Sequence, residues 1–85
     1  MSSVVSTQEH IRRIQVNDDE TAFNELYGLY EPRLNKFAYS FLDDREVAQE
    51  IVNDAFLKIW IGRQNLDTIR NVQVYLYVLI IWINK

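Results

Sequence analysis

The fold is decided by residues 43–62, which read DDREVAQEIVNDAFLKIWIG. Apolar residues recur in this stretch at three- and four-residue steps, which is typical of one buried face of an α-helix. Asp43 can act as the N-cap, and Glu46 follows three residues later, as in a capping box. We therefore predict a helix that follows Asp43 and ends near Gly62. Its predicted inward side chains are Val47, Ala48, Ile51, Val52, Ala55, Phe56, Ile59 and Trp60.

A second helical pattern precedes this stretch. Residues 17–20 offer an N-cap followed by acidic side chains, which suit the positive end of a helix dipole. Pro32 interrupts the pattern and predicts a kink or a short break near Gly28 to Tyr30. The apolar stripe keeps its phase across the proline, which favours one kinked helix over two. The predicted inward residues are Phe23, Leu26, Tyr27, Tyr30, Leu34, Phe37, Ala38 and Phe41.

Shorter helices are predicted on both sides. Residues 1–7 read as a frayed end, and a short helix is predicted from Gln8 to Val16. Residues 63–70 form a connector, and a last helix begins between residues 68 and 71. The short helix turns Ile11, Ile14 and Val16 inward, and the last helix turns Val72, Tyr75, Leu76, Leu79, Ile80 and Ile83 inward. The last helix also carries Val78, Ile81 and Trp82, so it is either buried all round or covered by a partner.

The composition favours an all-α fold, a small bundle of three to four helices. The 85 residues suffice for one small domain, 48% of them are apolar, and there are only one proline and two glycines. The absence of cysteine excludes disulfides, thiolate zinc sites and a cysteine nucleophile. The polar N-terminus is no secretory signal, and the longest apolar run, residues 74–83, is too short to span a membrane. We expect a cytoplasmic protein.

Few residues point to catalysis. The single histidine, His10, is predicted to be a surface residue, and no glutamate lies three residues from it. Two isolated glycines exclude a phosphate-binding loop. We expect no enzymatic activity, no cofactor and no metal site. The net charge of −3 means that any contact with DNA is local or depends on a larger assembly.

The outer face of the helix after Asp43 is the first candidate surface. Its acidic and amide side chains lie at four-residue steps, opposite the apolar face. One interpretation is a solvated face with an Asp54–Lys58 ion pair worth about 0.3–0.5 kcal/mol. The other is a docking face for a basic helical partner. The residues concerned are Glu46, Gln49, Glu50, Asn53, Asp54 and Lys58.

The second candidate surface is the connector with the start of the last helix. Cationic and amide groups beside aromatic rings can hold phosphate and accommodate an unpaired base. An ordinary polar loop above core aromatics is the alternative. The polar residues are Arg63, Gln64, Asn65, Arg70, Asn71 and Gln73, and the aromatic ones are Trp60, Tyr75 and Tyr77.

Three segments, 22–34, 44–60 and 71–77, resemble region 2 of bacterial extracytoplasmic-function sigma factors. The resemblance covers residues 18–77 and implies docking on the clamp helices in the largest subunit of core RNA polymerase. It also implies contact with the promoter minus-ten element and capture of a flipped base of the non-template strand. The implied polymerase-binding residues are Gln49, Glu50, Asn53, Asp54 and Lys58; the implied DNA-binding residues are Arg63, Asn65, Arg70, Asn71, Gln73 and Tyr75.

The resemblance implies a binding protein rather than a catalyst, with an anti-sigma factor as a further partner. It divides the chain into a tail with a short helix, residues 1–17, and a region 2-like domain, residues 18–85. The family's second, helix-turn-helix domain is expected to be absent, as in a piece of a longer protein. Ile81 and Trp82 stand about where the family has an arginine and an asparagine, so DNA contacts from there are not expected.

Two other functions remain open. A helical protein-interaction module would use the apolar last helix, including Val78, Ile81 and Trp82, to bind a second copy or another protein. A peripheral membrane helix at the C-terminus is the weaker alternative, since Lys85 is the only cation in the final stretch and a basic polar face is missing.

Overall fold

The computed structural model describes residues 7–84. Within this range the chain forms α1 (Thr7–Asn17), α2 (Glu20–Leu42), α3 (Arg45–Ile61) and α4 (Val72–Ile83). A 3-10 helix, Arg63–Thr68, which we call the 3-10 connector, joins α3 to α4. These described residues contain no β-strand, so the predicted all-α bundle is confirmed. Of the frayed end predicted for residues 1–7, residues 1–6 lie outside the described range, and Thr7 is already helical.

The second helix, α2, is a single element of 23 residues that continues through Pro32. Its N-cap is Asp19, whose Oδ1 accepts a hydrogen bond from the Ala22 backbone N–H at 3.0 Å. This cap lies within the capping group predicted at residues 17–20. The predicted short break near Gly28 is absent, because residues 28–30 are helical. The preference for one helix across the proline is confirmed.

The predicted capping box at the start of α3 was wrong by one residue. Asp44, not Asp43, is the N-cap, and its Oδ1 accepts from the backbone N–H groups of Glu46 at 3.0 Å and Val47 at 3.2 Å. Asp43 instead closes α2 in the left-handed conformation, with φ at 57° and its N–H bonded to the Tyr39 carbonyl. Either aspartate could cap α3, but the first is used to end α2, which leaves the second for the cap.

The core lies at the centre of the bundle, and all four α-helices and the 3-10 connector contribute to it. Its buried hydrophobic side chains are Ile14, Ala22, Leu26, Leu34, Ala38, Ala48, Ile51, Val52, Ala55, Phe56, Ile59, Leu66, Val72, Leu76 and Ile80. Most predicted inward positions are among them or pack against them. The regular spacing of apolar residues therefore gave the rotation of each helix correctly.

Three predicted inward residues are exposed. Val16 is 70% exposed, Phe41 43% and Val47 38%. Each lies in the first or last turn of its helix, where neighbouring elements cover fewer sides of the helix. The apolar period continues to the end of a helix, but the packing that buries it does not.

The first helix belongs to the packed body. α2 packs against α1, α3 and α4, and α1 also contacts the 3-10 connector. Ile14 of α1 is fully buried. Thr7 Oγ1 and the Tyr30 hydroxyl are hydrogen-bonded at 2.8 Å, and Gln15 Nε2 donates to the Gln64 carbonyl at 3.2 Å. The domain division at residue 17 stays a prediction. None of the described helices has the length and apolar character needed to cross a membrane.

Candidate functional site

The outer side of α3 carries the first predicted surface. The inner side of this helix is buried from Ala48 to Ile59, and this burial fixes the rotation of the helix. As a result, four of the five implied docking residues are exposed, whereas Gln49 is half-buried. The five residues lie together along one side of α3.

Glu50 and Asp54 present negative charge on this surface without a compensating partner. Within residues 7–84 neither takes part in an ion pair, and the Asp54–Lys58 pair considered above does not form. A shallow groove of about 450 Å³ runs beside the two carboxylates and includes Leu57, which is 52% exposed. The surface therefore combines unpaired acids with an exposed apolar side chain, which suits a basic partner with some apolar surface.

A hydrogen-bond network joins this surface to α2 through Tyr27. The Tyr27 hydroxyl donates to Asn53 Oδ1 at 2.8 Å. Gln49 Nε2 donates both to the Tyr27 hydroxyl at 3.1 Å and to Asn53 Oδ1 at 2.9 Å. The sequence identified Tyr27 only as a core residue. Gln49 and Asn53, two amides one turn apart, gave a signal, but it points to Tyr27 only once α2 and α3 are known to pack together.

The network continues on the far side of Gln49. Asn35 Nδ2 donates to Gln49 Oε1 and, at 2.6 Å, to Glu31 Oε2. Burial raises the pKa of Tyr27 above its ordinary value, and the nearby Glu31 carboxylate raises it further, while the hydrogen bond from Gln49 lowers it. The hydroxyl is therefore neutral at physiological pH and can donate to Asn53.

An aromatic groove lies between α2 and α3, next to the charged side of α3. It has a volume of about 500 Å³, and Asn53 and Leu57 line both this groove and the shallow one. The Phe23 ring lies 5.1 Å from the Trp60 ring, and the Tyr27 ring lies 4.8 Å from the Phe56 ring, between centroids. Phe56 is only 2% exposed, so these rings are mainly the packing that holds α2 and α3 together.

At the second predicted surface, Arg63 makes contacts within the chain. Its guanidinium lies 4.3 Å from the centroid of the Trp60 ring, and its Nε donates to Asp18 Oδ1 at 2.8 Å. Its Nη1 donates to the Trp60 carbonyl at 2.9 Å. These contacts tie the end of α3 to the link between α1 and α2. Arg63 was predicted to bind DNA, and its position indicates a structural role as well.

The other implied DNA-binding residues differ in how available they are. Asn65 and Arg70 are exposed, whereas Gln73 and Tyr75 are half-buried. Asn71 is the N-cap of α4, where its Oδ1 accepts from the Val74 backbone N–H at 3.1 Å. Among the residues proposed for DNA, Asn65 and Arg70 have the most freedom to meet a nucleic acid.

His10 corrects another sequence prediction. It was predicted at the surface, but it is 3% exposed, and its Nε2 lies 3.0 Å from Glu25 Oε1 on α2. His10 and Ile14 are four residues apart, so both lie on the side of α1 that packs against the bundle. The apolar pattern did not reveal this position, because histidine is not an apolar residue and its partner Glu25 lies on another helix.

Comparison with known proteins gives one match, to a protein family. The family model for Sigma-70 region 2 matches residues 26–85, which is most of the chain. The match includes α3, the 3-10 connector and α4, and it begins within α2. No curated protein and no solved structure matches the chain.

Proposed function

Because the chain belongs to the Sigma-70 region 2 family, whose members are non-enzymatic factors for transcription initiation by RNA polymerase, we propose that it docks on core polymerase through α3. The partner we propose is the pair of clamp helices of the largest subunit. The protein would act in the cytoplasm. Once docked, it would bring its second surface, the 3-10 connector with the start of α4, to promoter DNA and favour strand separation. The polymerase itself would catalyse RNA synthesis.

The observation that carries the docking proposal is the unpaired negative charge of α3. Glu50 and Asp54 are exposed and take part in no ion pair within residues 7–84. Neighbouring like charges cost energy in the free protein, and a basic helix would relieve that cost on binding. Leu57, exposed beside them, adds apolar contact area.

The test is calorimetric titration of the isolated clamp-helix fragment into the protein at moderate salt. We expect saturable one-to-one binding that Glu50→Lys abolishes. Asp67→Lys is the matched control, since Asp67 is an exposed acid on the 3-10 connector rather than on α3, and its Oδ1 accepts a hydrogen bond from Gln15 Nε2 of α1 at 3.2 Å. An equal loss of affinity in both variants would mean that net charge alone explains the effect. Full binding by Glu50→Lys would refute the docking face.

We further propose that the exposed residues Asn65 and Arg70 contact the minus-ten element once the protein is docked. The positive charge of Arg70 suits a phosphate, and the carboxamide of Asn65 can hydrogen-bond to a base edge. Anisotropy of a labelled non-template strand with the assembled polymerase would measure this contact. Arg70→Ala should weaken it, with a reduced salt dependence. A strand bound equally well by this variant would remove Arg70 from the interface.

Self-association through α4 is the second candidate function. Val74 is 56% exposed, Val78 40% and Ile81 46%, and residues 72–83 carry no charge. The steps of four and three residues between them match the seam of two paired helices, so the partner that fits is α4 of a second copy. Sedimentation velocity over a range of concentrations should show a dimer that Ile81→Asp dissociates and Ile61→Asp, on α3, does not. A monomer at all concentrations would eliminate this function.

A further inference from the structure

The hydrogen bonds of Asn53 give its side chain a defined direction. Its Oδ1 accepts from the Tyr27 hydroxyl at 2.8 Å and from Gln49 Nε2 at 2.9 Å. A carbonyl oxygen has two lone pairs, so these two bonds satisfy its acceptor capacity. The amide nitrogen keeps two N–H donors. They have no acceptor within residues 7–84, and the residue is exposed, so both donors are accessible. Asn53 therefore presents donors to an incoming partner.

Gln49, in contrast, uses its amide hydrogens and its carbonyl oxygen within the chain. Both hydrogens of its Nε2 are used, one toward Tyr27 and one toward Asn53, and its Oε1 accepts from Asn35. The side chain is half-buried. It has little left to offer a partner, although it was assigned to the docking surface with the others. Its position is that of a support for Asn53.

We propose that the Tyr27 hydroxyl and the Gln49 amide hold the Asn53 amide donors outward, so that the docking partner must offer a hydrogen-bond acceptor there, between cations that meet Glu50 and Asp54. This inference rests on the proposed function and adds the chemistry of the partner's face. Tyr27 and Gln49 are positioning residues, and Asn53 is the contact residue. A partner helix that carries only arginines and lysines at this point would not fit.

A wholly basic partner and a partner with a hydrogen-bond acceptor opposite Asn53 predict opposite changes in affinity for Asn53→Asp. The aspartate keeps an oxygen that can accept from Tyr27 and Gln49, so the network can persist. Its second oxygen replaces the outward donors with a negative charge. A wholly basic partner would bind this variant more tightly, because the charge of the surface increases. A partner with an acceptor at this point would bind it more weakly, because two oxygens would face each other.

The experiment is titration of the clamp-helix fragment into the wild-type protein, Asn53→Asp and Asn24→Asp. Asn24 is the matched control, since it is an exposed asparagine on the aromatic groove and makes no hydrogen bond in the Tyr27 network. We expect Asn53→Asp to weaken binding by at least about tenfold. The control should stay within about threefold of wild type. Binding by Asn53→Asp as tight as wild type or tighter would overturn the proposal, and so would an equal loss in both variants.

A second pair of variants tests the positioning role. Tyr27→Phe removes the hydroxyl and leaves the ring that packs on Phe56. Tyr30→Phe makes the same change at a hydroxyl that is bonded to Thr7 on α1 instead. We expect Tyr27→Phe to weaken binding about three- to fivefold and Tyr30→Phe to leave it unchanged, at matched thermal stability. Equal affinities of the two variants would overturn the role of Tyr27.

The outcomes also separate this inference from the proposed function. If Glu50→Lys leaves binding intact, the docking face itself is wrong. If Glu50→Lys abolishes binding while Asn53→Asp strengthens it, docking stands and the acceptor on the partner is refuted. Thermal melting of each variant shows that the domain is folded, so lost binding is not confused with lost structure.

Discussion

Phe56 and Phe41 provide a direct test of the packing, because the sequence pattern assigns both to the core. Phe56 is 2% exposed, whereas Phe41 is 43% exposed in the last turn of α2. The Phe56 ring contacts the rings of Phe23 and Tyr27, at centroid distances of 6.3 and 4.8 Å. Its loss would therefore leave a cavity between α2 and α3. The Phe41 ring contacts Phe37 at 5.3 Å and is otherwise half solvated.

The expected costs follow from burial. Phe56→Ala should lower the free energy of unfolding by about 3–5 kcal/mol, as for other fully buried phenylalanines. Phe41→Ala should cost about 1–2 kcal/mol, from partial burial and one aromatic pair. A domain of this size has about 4–13 kcal/mol of stability in total, so the first change removes a large part of it. It should lower the melting temperature by more than about 12 °C.

Urea unfolding followed by far-UV circular dichroism measures both variants. The slope of free energy against urea should stay constant, since the exposed area on unfolding changes little. A Phe41→Ala loss as large as that of Phe56→Ala would mean that the last turn of α2 is covered and that the core is placed wrongly. An unchanged midpoint for Phe56→Ala would refute the contact between α2 and α3.

Three further predictions concern the caps, the first helix and alkaline pH. Asp44→Ala should lower the free energy of unfolding by about 1 kcal/mol in thermal melts, because it removes the N-cap of α3. Asp43→Gly should leave it unchanged, because glycine adopts a φ of 57° freely. A larger loss for Asp43→Gly than for Asp44→Ala would mean that Asp43 is the N-cap. Ile14→Ala should lower the free energy of unfolding in urea by about 2–5 kcal/mol, because Ile14 is fully buried. An unchanged free energy would mean that α1 does not unfold together with the rest of the domain. Burial raises the pKa of Tyr27, so the contribution of this residue to stability is fully present below pH 10.0 and is lost as pH rises through the raised pKa. Urea unfolding at a series of pH values should therefore show a smaller alkaline loss of stability in Tyr27→Phe than in the wild type, and equal profiles would contradict this.

Local signals in the sequence predicted the helices well, because periodicity and caps depend on neighbouring residues. The start of α3 shows where such signals end. Asp43 and Asp44 are equally good caps by type, and only the way in which α2 closes decides between them. The exposure of Phe41 was missed for a related reason, since the apolar period does not report how many neighbours a terminal turn has.

Contacts between distant residues were outside the reach of the sequence. His10 is buried because α1 packs against α2, and its partner on α2, Glu25, is 15 residues away in the chain. Tyr27 joins the proposed docking surface through Asn53, 26 residues away. In both cases the residue type left two roles open, core or surface for the histidine and packing or polar contact for the tyrosine. Only the pairing of helices shows that the histidine is buried and that the tyrosine makes both kinds of contact.

The two surfaces are held in place by different contacts. The polar residues of α3 are exposed because Phe56 and its buried neighbours fix that helix. Two of them, Asp54 and Lys58, also border a shallow groove that residues of α4 complete. On the second surface, Arg63 is held by Asp18 and Trp60, and Asn71 caps α4. Further along, the exposed residue Ile81 offers no hydrogen bond to DNA. We therefore expect the proposed polymerase docking and the proposed promoter contact, which rests on few groups, to be separable by mutation.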